Sequence, residues 1–217
     1  MQVQSKKNNM RALFFSFWTV LTTLFCFSCG CGKKQPTSVL PDSVKLRVGD
    51  VVFRLGESLE SNVVNIADRG GLYSHCGIVV DSAGLLRVVH AVPDEPDFPG
   101  DSERVKMDHV DRFFGTDRAW AGAVCRMDDS LAAAKAARAA KGVFLRGTLF
   151  DNDYDENDTT KFYCSELIWH AFKHAGYDIV GPDRHSYNVL FRRIDSCIVP
   201  SQIYNSTYLH PVAFFNQ

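Results

Sequence analysis

The pattern that most restricts the fold lies between residues 76 and 92. Cys76-Gly77-Ile78-Val79-Val80 is a β-branched apolar run, Asp81 to Gly84 has turn chemistry, and Leu85 to Val92 (LLRVVHAV) is a second apolar run. β-Branched side chains pack well on a pleated surface, and so short a polar connection permits only an antiparallel return, so these residues form a hairpin. Val51 to Arg54 reads as another short strand after a Gly49-Asp50 turn, and residues 120–127 (WAGAVCRM) as a further one. Pro93 to Gly100 is a loop rich in proline and acid. Glu57 to Asp68 fits either a short helix or an irregular connection.

Helical signals alternate with these strands. Ser130 to Lys141 (SLAAAKAARAAK) is alanine-rich, with Ser130 or Asp129 as its cap and Gly142 as its stop. A second helix is expected from Cys164 to Ala175, where Leu167, Ile168, Ala171, Phe172 and Ala175 recur at three- and four-residue spacing and Gly176 closes the run. The tail from Ile198 has β-branched and aromatic residues without a clean period. The fold class is α+β: a small antiparallel sheet or barrel packed against helices.

The N-terminus has a different character. Lys6, Lys7 and Arg11 precede an apolar stretch from Ala12 to Ser28, and no further charge occurs before Lys33. This is the pattern of a secretory leader. It ends in Cys26-Phe27-Ser28-Cys29-Gly30-Cys31, which resembles a loose bacterial lipobox with Cys29 the better lipidation candidate and Cys31 the next; an uncleaved membrane anchor is the rival reading. The organisation is therefore leader (1–28), polar Pro-punctuated tether (29–42) and domain (43–217). The domain is long enough to bury a core, and 46% hydrophobic with 23% charged residues is a globular composition. A net charge of -1 gives no electrostatic case for nucleic acid. The lone C-x-x-C, Cys26 to Cys29, has no matching pair, which argues against a zinc ribbon. After export Cys125 and Cys197 are available to pair, but sequence separation does not fix the geometry a disulfide demands.

The chemistry centres on Phe162-Tyr163-Cys164-Ser165-Glu166-Leu167. A cysteine in the first turn of a helix meets unpaired N–H groups and the positive end of the dipole, both of which favour the thiolate. A buried space-filling cysteine is the commoner fate of such a residue. His75 immediately before the first hairpin strand and His90 on its return strand change the balance, because hairpin strands bring residues on one face together. His75 then shuttles the proton and His90 holds its far nitrogen. His109, His170, His174, His185 and His210 better fit ordinary structural or solvated roles, and a metal site made of His75, His90 and Cys164 lacks a fourth ligand. The acidic loop Asp151 to Asp158 fails the EF-hand pattern, with Glu156 and Phe162 where glycine and glutamate are required, and reads as solvated.

Gly49-Asp50-Val51-Val52-Phe53-Arg54, Ser74-His75-Cys76-Gly77-Ile78-Val79-Val80 and Tyr163-Cys164-Ser165-Glu166-Leu167-Ile168-Trp169, in that order, resemble the permuted papain-like amidases of the YaeF/YiiX type. These are the circularly permuted branch of the NlpC-type cell-wall peptidases. The resemblance covers roughly residues 46–210. It implies a permuted papain-like fold and a Cys164–His75 pair, with a polar third residue matching His90, where many permuted members carry glutamate. A tyrosine that supports the oxyanion in such enzymes corresponds here to Phe150, which leaves backbone N–H groups at Cys164, or Tyr154 or Tyr163, for that task. The resemblance further implies a cysteine hydrolase without cofactor, acting on peptidoglycan peptides or lipid-linked acyl groups; the N-terminal lipid expected at Cys29 would hold it to a membrane. An acyltransferase or thioesterase using the same residues is compatible with it, as is a binding lipoprotein that kept the fold without catalysis.

Overall fold

A computed structural model describes residues 37–56, 68, 71–189 and 192–216. The leader, Cys29 and Cys31, and most of Glu57–Asp68 lie outside the described residues. The hairpin forms as its pattern demands. Strand β1 (Val51–Leu55) pairs antiparallel with β2 (His75–Ser82), and β2 with β3 (Leu85–Val92). Ala83 and Gly84 make the turn, both with positive φ (56° and 79°), which matches the right-handed twist of the two strands.

The sheet around this hairpin is larger than the sequence suggested. Its order is β10-β5-β1-β2-β3-β4-β6-β7, eight strands in all, adding β4 (Arg104–His109), β5 (Ala121–Arg126), the two-residue β6 (Leu149–Phe150) and β7 (Lys161–Phe162), and β10 (His210–Asn216). The β6–β7 pair is parallel. A separate two-stranded sheet joins β8 (His185–Val189) to β9 (Arg192–Cys197). Strand β4 escaped notice because Arg104-Val105-Lys106-Met107-Asp108-His109 alternates apolar residues with charges that are themselves buried or half-buried.

Period-2 alternation divides the sheet into two faces. Val51, Phe53, Cys76, Ile78, Val80, Val89 and Ala91 pack in one core with helices α2 (Ser130–Leu145) and α3 (Cys164–Ala175). Val52, Val79, Val88 and Val124 lie in a second core with Phe113 and Phe114, at the end of the short helix α1 (Val110–Phe113). Val39, in the stretch expected to be tether, is buried in this second core, and its N–H donates to the Phe114 carbonyl at 2.9 Å. The fourth helix among the described residues, α4 (Pro200–Tyr204), precedes β10.

Asp129 caps α2 by accepting from the Leu131 and Ala132 N–H groups. Gly142 does not stop this helix, which runs on to Leu145. A glycine inside a helix costs only about 1 kcal/mol, and buried Val143 anchors the extra turn. Gly147, at φ 67°, follows its end. Helix α3 spans its expected residues, and Gly176 closes it at φ 101°. Among the described residues no helix is long and apolar enough to cross a membrane.

Candidate active site

Cys164 is the first residue of α3 and is 9% exposed. The first helical bond is Leu167 N–H to Tyr163 O at 3.0 Å, so the N–H groups of Cys164, Ser165 and Glu166 precede the intrahelical ladder. Glu166 reaches back to accept the Tyr163 N–H at 3.3 Å, which fixes the entry of the chain into the helix. Ser165 Oγ lies 3.7 Å from Cys164 Sγ.

Two neighbours on β2 face this sulfur. His75 and Cys76 are consecutive and so sit on opposite faces of the strand, His75 sharing its face with Val79 and Cys76 packing in the helix-side core. Both meet Cys164 at the start of β2. The Cys76 thiol donates to Cys164, and this bond, with those from His75 and Ser165, outweighs burial to hold the Cys164 thiol well below its ordinary range. Cys76 moves the other way, raised first by burial and then by its hydrogen bond to Cys164 and the charge there. The position of Cys164 at the start of α3 favours its ionisation over that of Cys76.

Behind His75 lies a buried imidazole pair. His75 Nε2 and His90 Nδ1 are 2.9 Å apart, with the rings edge-on. The meeting depends on Gly77, since a Cβ there would lie 2.5 Å from Val88 Cγ1 and 3.2 Å from His90 Cβ. His90 is fully buried, and its Nε2 lies 3.3 Å from Asp108 Oδ2 on β4. Sequence reasoning missed Asp108; its only signal was a charge at every second position of β4. Arg118 spans Asp108 and Glu95, and Glu95 in turn meets Arg54, whose guanidinium lies over the Phe113 ring.

Burial pushes the His75 pKa down to about 4, helped by the Arg54 charge, so its imidazole is neutral near pH 7. Burial also lowers His90 against the pull of Asp108. Asp108 would be raised by burial, but its bond to His90 and the charges of His90, Lys106 and Arg118 hold it below the usual carboxylate range.

The oxyanion candidates fare differently. The Tyr163 hydroxyl accepts from the Ile198 N–H at 2.9 Å and is buried, so it serves the fold. Tyr154 has a positive φ of 56°, and its ring packs on Phe150 and Tyr163. Phe150 is buried on β6. In the acidic loop, Asp151 is buried rather than solvated and accepts the Asp153 and Asp155 N–H groups at 2.9 and 2.7 Å. Cys125 and Cys197 are both buried, and no disulfide joins them. Among the described residues no group of three or more His, Cys, Asp or Glu side chains is arranged to hold a metal ion.

No family model and no curated protein matches this chain. Among solved structures it is similar to one described as the metalloprotein YiiX of Escherichia coli O157:H7 (DUF1105). The TM-score is 0.60 at 20% sequence identity, over 82% of this chain and 97% of that one. The chain has a YiiX-like fold.

Proposed function

We propose that this protein is an exported, lipid-anchored cysteine hydrolase of the permuted papain-like amidase type. Cys164 is its nucleophile, His75 its base, and His90 the residue that orients His75. The observation that carries this reading is a buried thiol at a helix N-terminus, coupled to an imidazole whose far nitrogen is held by a second imidazole. Cys164 Sγ attacks the carbonyl carbon of an amide from the thiolate–imidazolium pair that forms when the thiol proton passes to His75 Nδ1. The oxyanion forms against the N–H groups at the start of α3. His75 passes its proton to the leaving nitrogen, then draws one from water as that water releases the acyl group from sulfur. An envelope location through lipid on Cys29 makes peptidoglycan peptides the first substrate class to try and lipid-linked acyl groups the second.

The YiiX structure is described as that of a metalloprotein. Here the donor set does not fit a metal. His75 Nε2 and His90 Nδ1 face each other, and His90 Nε2 faces Asp108, so the lone pairs do not converge on one point. The proposed mechanism accordingly uses the chain's own residues.

The test is the pH dependence of iodoacetamide modification at Cys164, read by peptide mass spectrometry, followed by turnover of peptidoglycan fragments. A thiolate titrating well below about 8.5, with turnover lost in Cys164→Ala, is expected. A sulfur that resists alkylation at every pH while the protein is folded would instead mark a binding protein.

A further inference from the structure

The polar network behind His75 does not end at His90. Its terminal member is Asp108, a carboxylate 9% exposed, reached by His90 Nε2 at 3.3 Å and by Arg118 at 3.3 Å. The position is set by strand register. Val88 lies opposite Asp108 and His90 opposite Lys106, so Asp108 is the diagonal neighbour of His90 on the same face.

Resting on the reading of Cys164 and His75 as nucleophile and base, we propose that Asp108 is a positioning residue that fixes the tautomers of both histidines and thereby leaves the lone pair of His75 on Nδ1. An ionised carboxylate can only accept, so His90 must carry its proton on Nε2. A neutral His90 then has its lone pair on Nδ1, which obliges His75 to donate from Nε2 across the 2.9 Å contact. Nδ1 of His75 is left as the nitrogen that can take up a proton, from the sulfur or from water. One acceptor-only group thus determines, through two rings, which end of the base can take a proton. Asp108 touches neither sulfur nor substrate; it acts through His90.

Its surroundings keep Asp108 ionised. Arg118 bridges it to Glu95, and Glu95 is also paired with Arg54, so two carboxylates and two guanidiniums alternate. A protonated Asp108 would be able to donate, and the tautomer order would no longer be forced. A purely structural salt bridge between Asp108 and Arg118 would leave the histidine tautomers indifferent to the charge at position 108, which separates the two roles.

The test is long-range ¹H–¹⁵N NMR of the histidine rings in the full chain near pH 7, assigned with His75→Ala and His90→Ala. Both rings are expected as Nε2–H tautomers. Asp108→Leu removes the acceptor altogether, so an Nδ1–H form of His90 is expected to appear and His75 to follow. With p-nitrophenyl acetate as the probe, release of the acetyl group from Cys164 should then slow by about 10- to 100-fold, because the flipped base cannot take a proton from water. Either ring found as Nδ1–H in the unmodified protein overturns the inference, as do unchanged tautomers in a folded Asp108→Leu. Should that variant fail to fold, the tautomers of the unmodified protein decide alone. A wild-type Cys164 that never acylates would refute the nucleophile while leaving the tautomer result to stand or fall on its own.

Discussion

Glu166 is a carboxyl group that the fold keeps protonated, and its removal offers a test with a fixed sign. The side chain is 1% exposed, accepts the Tyr163 N–H, and has neighbouring acids in Asp151, Glu156 and Asp155. Burial, opposed by the Tyr163 bond and reinforced by those acids, raises its pKa from 4.5 to about 9. A folded pKa above the unfolded one means that the associated stability is complete below about pH 4.5 and is lost progressively as pH rises toward 9. By pH 7 the loss spans about 2.5 pH units at 1.36 kcal/mol each, or roughly 3 kcal/mol. The positive end of α3 favours the charged form and takes back up to about 1 kcal/mol, leaving about 2 kcal/mol. Glu166→Gln keeps an acceptor for Tyr163 and carries no titrating proton. It should match the parent protein near pH 4.5 and exceed its stability by about 2 kcal/mol at pH 7, or several degrees in melting temperature for a chain of this size. Urea unfolding at half-unit pH intervals between 4.5 and 8 measures the difference directly. A difference flat with pH, or a variant less stable at pH 7 than at pH 4.5 relative to the parent, would show an ionised Glu166 and refute the argument.

Gly77→Ala places a methyl group against Val88 and His90 and should cost about 1–3 kcal/mol by overpacking. It should also perturb the His75 and His90 ring signals, whereas Gly84→Ala, with nothing within 4 Å, should leave those signals in place. Cys76→Ala removes the thiol that donates to Cys164, so the pH midpoint of Cys164 alkylation should rise; an unchanged or lower midpoint would rule out that bond. His75 predicts a contribution of the opposite sign to that of Glu166. Because the His75 pKa falls to about 4 in the fold, the unfolded chain binds more protons at this residue below about pH 6.5, and the stability this residue contributes should fall with falling pH across that interval by up to 1.36 kcal/mol per pH unit. His75→Gln should therefore gain stability relative to the parent as pH falls from 6.5 toward 4 in chemical denaturation, and a difference between the two proteins that is flat with pH would assign the titration elsewhere.

The hairpin, helix α3 and its Gly176 terminus could be read in the sequence because each is a local pattern: β-branched runs around a turn, or a 3.6-residue period ended by glycine. The extent of the sheet could not. The two-residue strands β6 and β7 have no period to detect, and β10 is an edge strand whose side chains are exposed or half-buried, so burial imposes little alternation on it. Helix α2 outran its apparent stop because a packing term, the burial of Val143, outweighed a local propensity. His75 and His90 could be paired in advance because one hairpin holds both. Asp108 belongs to the next strand, and its contact depends on the β3–β4 register, which the loop from Pro93 conceals.

That register also explains why the dipeptide His75-Cys76 has to stand where it does. Alternation sends the imidazole to the face that carries His90 and Asp108 and the thiol to the face under α3. Cys164, at the end of its helix, lies where the sheet begins and so meets a base from one face and an S–H donor from the other. A one-residue slip of β2 against β1 and β3 would exchange those partners, presenting the imidazole to the apolar core and the thiol to the charged network. The buried pairings Val51–Ile78 and Ile78–Val89 oppose that slip, because it would carry Ile78 and Val80 out of the helix-side core. The apolar residues of β2 therefore do more than fill the core: by fixing its register they hold His75 and Cys76 on the faces the proposed chemistry requires.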